Sequence, residues 1–156
     1  MNESSGPFQP PQAPVAGGDA RYLGFDFGLR RIGVAVGQSL TASARPLRTL
    51  AAHDGVPDWQ PLDALVAEWQ PAALVVGLPL DVDGNEQPIS RAARAFAAAL
   101  ASRYRCPIHF CDERYTSREA NARFVEQRRA GSKRRRDAAA LDAAAAAIIL
   151  ETWLSR

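Results

Sequence analysis

The chain has 156 residues, 47% of them hydrophobic, with 19 basic and 17 acidic side chains and a formal net charge of +2. That length fits one domain with an ordinary core, and so balanced a charge argues only weakly for a nucleic-acid partner; the clustering of the basic residues argues more strongly. The sequence holds neither a run of 18 apolar residues nor a signal-type apolar core near its start, which argues against membrane spanning and secretion. Its two cysteines, Cys106 and Cys111, make neither a disulfide framework nor a zinc pattern, so a reducing cytoplasm is the expected location.

Residues 1–19 contain Pro7, Pro10, Pro11 and Pro14 with Gly6, Gly17 and Gly18, a composition that buries little and reads as a disordered tail. Residues 20–156 are then the folded domain. Tyr22 to Phe27 reads as a first strand and Ile32 to Val36 as a second, joined by a hairpin turn at Gly28, Leu29, Arg30 and Arg31. A third extended piece covers Ala44 to Leu50. Asp58 to Trp69 is expected to be helical, because Leu62, Leu65, Val66 and Trp69 fall along one stripe before Pro71 stops it. Ala72 to Val76 is continuously apolar, the pattern of a central strand covered on both faces. After a glycine- and aspartate-rich loop from Gly77 to Gln87, a helix opens at Pro88 or Ser90 and runs to about Arg103. Its inward residues are expected to be Ala92, Phe96, Ala99 and Leu100. Pro107 to Cys111 is a further strand, and the odd spacing of the two cysteines points them to opposite faces. Thr116, with Glu119 three residues on, reads as the capping box of a helix to about Gln127. A last helix covers about Asp137 to Leu154. Five strands with interleaved helices argue for an α/β layered domain with parallel crossovers.

Three carboxylates stand out. Asp26 ends the first strand on the face it shares with Gly24 and Gly28, whose small size leaves space beside it. Asp112 and Glu113 follow the last strand, where the carboxyl ends of parallel strands line a ligand crevice; adjacent residues diverge, and position alone does not choose between them. Asp142 shares its helical face with Ala145, Ala146, Ile149 and Trp153, and a charge on that face is costly unless paired or coordinated. Pairing with an arginine is the plain alternative to a metal. The small residues Ala143 to Ala147 let this helix approach a sheet closely and bring Asp142 towards Asp26. Converging carboxylates repel, and Mg²⁺ or Mn²⁺ suits such hard oxygen donors. Two such ions about 4 Å apart can activate a water and stabilise the leaving oxygen of a phosphodiester.

Six arginines and lysines lie between Arg128 and Arg136 with no acid among them. Of these, Lys133, Arg134, Arg135 and Arg136, just before the Asp142 helix, are expected to grip a phosphate backbone, a contact that carries salt dependence rather than sequence choice. Arg30 and Arg31 in the first hairpin are candidates for phosphates near Asp26. Arg114 either clamps a phosphate or pairs with Asp112. Tyr115 is the best candidate for a base or sugar contact. His109 is expected to be packed or partly buried in its strand. An ATP-using enzyme of the actin and sugar-kinase kind also places an aspartate and glycines between two strands, but it needs two such domains, which this chain cannot supply.

Four motifs occur in order: Gly24-Phe25-Asp26-Phe27-Gly28 with Arg31-Ile32-Gly33-Val34-Ala35; Gly77-Leu78-Pro79-Leu80 with Asp83-Gly84; Asp112-Glu113-Arg114 with Thr116-Ser117 and Glu119-Ala120; and Asp142 with Ala145 and Ala146 ahead of Ile148-Ile149-Leu150. In these the chain resembles the YqgF or RuvX-like family over roughly Arg21 to Leu154. The resemblance implies a ribonuclease H-like fold with a central mixed five-stranded sheet flanked by helices, over residues 20–156. It also implies a metal-dependent nuclease whose ligands and catalytic acids are Asp26, Glu113 and Asp142, which selects Glu113 over Asp112. The implied substrate is structured RNA, first the 5′ end of pre-16S ribosomal RNA, with a four-way DNA junction as the alternative. The arginines would equally serve a rival function, a non-catalytic RNA-binding or ribosome-associated factor, which the acidic triad argues against. Association with a ribosomal subunit, no membrane partner, and a monomer or weak homodimer complete the expectation.

Overall fold

A computed structural model describes residues 19–115 and 135–156. Three antiparallel strands come first: β1 (Arg21–Asp26), β2 (Arg31–Gln38) and β3 (Ser43–His53), the last continued by the two-residue β4 (Val56–Pro57). Helix α1 (Trp59–Trp69), strand β5 (Ala73–Leu78), helix α2 (Pro88–Tyr104) and strand β6 (Ile108–Asp112) follow. A single 3₁₀ turn, Glu113–Tyr115, leaves the end of β6, and α3 (Arg135–Leu154) closes the described part. The sheet order is β4-β3-β2-β1-β5-β6, antiparallel from β4 to β1 and parallel across β1, β5 and β6.

All five strands expected from the sequence are present, and β4 is an addition. Its cause is a hairpin at Asp54-Gly55, both with positive φ (50° and 84°), the backbone that an Asp-Gly pair favours between twisted strands. This hairpin prolongs β3 to His53, three residues beyond the expected end. Within β3 the register slips opposite Val34 and Ala35, near Pro46, whose missing N–H cannot complete a ladder.

Strand alternation divides the core between the two faces of the sheet. Leu23, Phe25, Ile32, Val34, Leu74 and Val76 face α1 and α2, where they meet Leu62, Leu65, Phe96 and Leu100. On α2 the buried stripe is Ala93, Phe96, Ala97 and Leu100, so Ala92 and Ala99 lie at its border rather than at its centre. Ser90, fully buried, completes a capping box with Gln87 and donates its hydroxyl to the Pro79 carbonyl, which ties the loop after β5 to the start of α2. The opposite face carries Ala35, Val75 and Cys111 against Ala146, Ala147, Ile149 and Leu150 of α3. Every residue of β5 is buried, as a strand between two helical layers requires. Cys106 and Cys111 are free thiols in the two separate clusters. The His109 ring packs on Trp153, with 5.0 Å between centroids, as expected, although the residue is exposed overall because β6 ends the described sheet. Among the described residues, no helix is long and apolar enough to cross a membrane.

The expected tail (1–19, of which only Asp19 is described), the Thr116–Gln127 helix, and the basic residues Lys133 and Arg134 lie outside the described residues. Arg135 and Arg136 begin α3, but their side chains and that of Tyr115 are likewise outside them.

Candidate active site

The packing of α3 on the sheet sets the site. Residues with little or no side chain line its track: Gly24, Gly33 and Gly37 with Ala35 between them. A Cβ added to Gly24 would lie 2.8 Å from Leu150 Cβ, and one added to Gly33 would lie 1.9 Å from the carbonyl oxygen of Asp142. The space beside Asp26 that Gly24 leaves is therefore occupied by the helix, not by a ligand. Gly28 likewise serves its turn: a Cβ there would meet the Arg31 carbonyl oxygen at 2.6 Å.

Asp26 ends β1 directly across from Gly33 in the antiparallel pair, so the α3 backbone at Asp142 passes over its neighbour. On the other side, Asp26 follows the Phe25–Val76 pairing of β1 with β5, one residue short of Gly77. The 3₁₀ turn after β6 lays the Glu113 carboxylate on that glycine, with Oε2 2.9 Å from the Cβ that Gly77 lacks. Asp26 thus stands between Asp142 and Glu113. Burial, then repulsion from Glu113, then repulsion from Asp142 push its carboxyl up to about 8. Burial and the neighbouring Asp112 push Glu113 up to about 7. Near neutral pH Asp26 and Glu113 therefore resist ionisation.

Among the described residues no three carboxylates, imidazoles or thiols stand close enough to hold a metal ion as they are. Asp142 is instead engaged by Arg31, whose Nε donates to its Oδ2 at 2.6 Å. An open depression of about 440 Å³ lies in front of Asp26 and Asp142, lined also by Arg30, Arg31 and Ile89; Glu113 stands outside its lining. Arg30 is exposed at its edge. Arg114 pairs with Asp112, with Nε 3.0 Å and Nη2 2.7 Å from Oδ2; Asp112 Oδ1 also accepts the Arg114 backbone N–H at 2.9 Å. This pairing holds the Asp112 carboxyl below its usual range. Asp112 is thereby turned to the arginine while Glu113 turns to the sheet, the divergence expected of adjacent residues.

One contributor lies outside the sequence motifs, and two glycines within them act by making room. Ile89 walls the depression from α2, and nothing in its local pattern marks it. Gly33 and Gly77 seat the helix and the glutamate, and the small-residue alternation Gly33, Ala35, Gly37 is a signal that marks the track of α3.

The family model described as RuvX: Holliday junction resolvase matches residues 20–156. The chain belongs to this family. It is accordingly a nuclease-type enzyme with a ribonuclease H-like fold, as the sheet order and its flanking helices display. Relatives named as candidate pre-16S rRNA nucleases include one from Xanthomonas campestris pv. campestris (strain 8004), 52% identical over 145 residues covering 93% of this chain and 94% of the relative. Another, from Xylella fastidiosa (strain 9a5c), is 50% identical over 155 residues covering 99% and 94%. Among solved structures, Thermus thermophilus RuvC in complex with a Holliday junction substrate matches with a TM-score of 0.49 and 16% identity, covering 83% of this chain and 91% of that one.

Proposed function

We propose that this chain is a divalent-metal-dependent endonuclease that hydrolyses phosphodiester bonds in the 5′-end maturation of pre-16S ribosomal RNA in the cytoplasm. Asp26, Glu113 and Asp142 are its metal ligands and catalytic acids. The observation that carries the reading is the burial of Asp26 between two other carboxylates: burial first, then repulsion from Glu113 and Asp142, raises its pKa to about 8. Perturbation of this kind clusters at functional sites. The donor set fits the group: three hard oxygen donors from three separate elements suit Mg²⁺ or Mn²⁺. A bound cation would supply the charge that lets Asp26 and Glu113 ionise, activate a water and stabilise the departing 3′-oxygen.

The remaining steps belong to the chain. Asp26 and Glu113, whose carboxyls are raised to about 8 and about 7, would have to lose their protons to solvent to serve as ligands. Arg30, at the edge of the depression, meets a backbone phosphate, and Arg31 lies beside it. Arg114, held by Asp112, is a positioned cation at the end of β6. Lys133, Arg134, Arg135 and Arg136 extend the phosphate contacts and Tyr115 supplies a base or sugar contact. The names of the relatives favour RNA over DNA as substrate. The family description favours a second reading, resolution of a four-way DNA junction, which would require two sites facing two strands.

End-labelled 16S precursor RNA and a four-way DNA junction, each incubated with Mn²⁺ and either the wild type or Glu113→Gln, separate these readings. Cleavage of the RNA by the wild type alone is expected. Preferred cutting of the junction would replace the RNA reading, and equal cutting by the variant would remove Glu113 from the site.

A further inference from the structure

The depression lined by Asp26 and Asp142 also holds two arginines, Arg30 and Arg31, and Arg31 is paired with one of those carboxylates. Arg31 begins β2, across the hairpin from Asp26, and reaches over to Asp142 through Nε at 2.6 Å. The pair is not a buried structural bridge: the Arg31 side chain is 50% exposed and that of Asp142 25% exposed. Exposed pairs of this kind are weak and open to competition. The Arg31 side chain makes no other hydrogen bond among the described residues, so nothing else holds its guanidinium in place beside Asp142. Asp142 meanwhile sits on backbone locked against Gly33 and cannot retreat from Asp26.

We infer that Arg31 is a displaceable counter-ion. It neutralises Asp142 while the site holds no metal; an incoming divalent cation takes over the Asp142 oxygen, and the released guanidinium turns to a substrate phosphate in the same groove. This inference rests on the metal-site reading above and assigns Arg31 two successive partners. Three observations favour it. The Arg31–Asp142 pair engages the carboxylate whose availability completes the acidic set, and no three-acid cluster stands ready among the described residues. Arg31 and Asp142 line the same depression as Asp26, so the released side chain needs no backbone movement to stay beside the site. A guanidinium presents its donors in a fork that suits phosphate as well as carboxylate. Arg31 therefore acts as a positioning residue before the metal arrives and as a substrate contact after it.

The test uses the full chain without nucleic acid first. Mn²⁺ binding is measured by titration calorimetry on wild type, Arg31→Gln, Arg31→Lys and Asp142→Asn, with thermal melts to confirm folding. Losing an exposed competitor should tighten Mn²⁺ binding to Arg31→Gln by about two- to fivefold, with Arg31→Lys in between and Asp142→Asn much weaker than wild type. Binding of a short single-stranded RNA is then compared in EDTA and in Ca²⁺. Arg31→Gln should leave the EDTA affinity unchanged and lower the Ca²⁺ affinity severalfold. Unchanged or weaker Mn²⁺ binding in Arg31→Gln, with normal binding in wild type, overturns the displacement while leaving the metal site intact. Absence of Mn²⁺ binding in the wild type overturns both.

Discussion

Gly33→Ala is the sharpest probe of how the fold delivers Asp142. The added methyl would lie 1.9 Å from the Asp142 carbonyl oxygen, 2.3 Å from its carbonyl carbon and 2.8 Å from the Ala143 nitrogen, all backbone atoms that no rotamer change can move. Ordinary contact needs about 3.2 Å or more, so α3 must lift from β2 by over ~1 Å, opening gaps along its packing on β1, β2 and β3. Overpacking costs about 1–3 kcal/mol, and a backbone clash belongs at the upper end or beyond. For a domain this size, about 3 kcal/mol lowers the Tm by roughly 10 °C. Gly37→Ala is the matched control, since its methyl would meet only side-chain tips of Leu150 and Leu154, at 2.8 and 2.9 Å, which can yield. Thermal melts of both variants, with cleavage assays on the folded fraction, check the expectation. Gly33→Ala should lose at least twice as much stability as Gly37→Ala, and its residual activity should fall further because Asp142 moves away from Asp26. Equal melting temperatures for Gly33→Ala and wild type would refute the close approach of α3 and the placement of Asp142 that rests on it.

Asp26 gives a pH prediction. Its carboxyl is raised from 3.8 to about 8 in the folded chain, so below pH 3.8 both folded and unfolded states hold the proton and its stabilising contribution is complete. Between these values the unfolded state ionises while the folded state does not, and the contribution is lost at up to ~1.4 kcal/mol per pH unit until folded Asp26 itself ionises. In EDTA the wild type should lose about 4 °C of Tm per pH unit between pH 5 and 7 from this group. Asp26→Asn should melt higher at pH 7 with a flatter profile; parallel profiles for the two proteins would refute the shift. Ser90→Ala should cost about 1 kcal/mol in chemical denaturation by leaving the partly buried Pro79 carbonyl without its donor. An unchanged midpoint would show that this hydroxyl does not anchor the loop. Asp112→Asn should loosen Arg114 and reduce cleavage severalfold with little loss of Mn²⁺ affinity, measured by titration; a collapse of metal affinity would make Asp112 a ligand.

The sheet was legible because its strands advertise themselves. Ala73–Leu78 is apolar throughout, as a doubly covered strand must be, and Leu62, Leu65 and Trp69 mark α1 by period. The Asp54-Gly55 hairpin carried its own signal, yet β4 is too short for a hydrophobic alternation to mark it. Asp26 and Asp142 were legible as charges in apolar or glycine-rich settings. What remained hidden was tertiary: that the glycines near Asp26 seat α3 and a turn, and that Arg31 reaches 111 residues along the chain to Asp142. Spacing in one dimension names candidates on each element; only the crossing of α3 over β2 decides which of them meet. The choice of Glu113 over Asp112 shows the same limit. It came from a family resemblance, and its physical counterpart is the Arg114 fork that occupies Asp112.

The account stands most directly on one measurement: cleavage of end-labelled 16S precursor RNA in Mn²⁺ or in EDTA by wild type and Asp142→Asn, with RNA binding measured on the same samples. The predicted result is cutting by the wild type in Mn²⁺ alone, with none by the variant and RNA binding retained in both. Cleavage that survives EDTA, or that Asp142→Asn performs as well as the wild type, would contradict a metal-dependent site built on Asp26, Glu113 and Asp142.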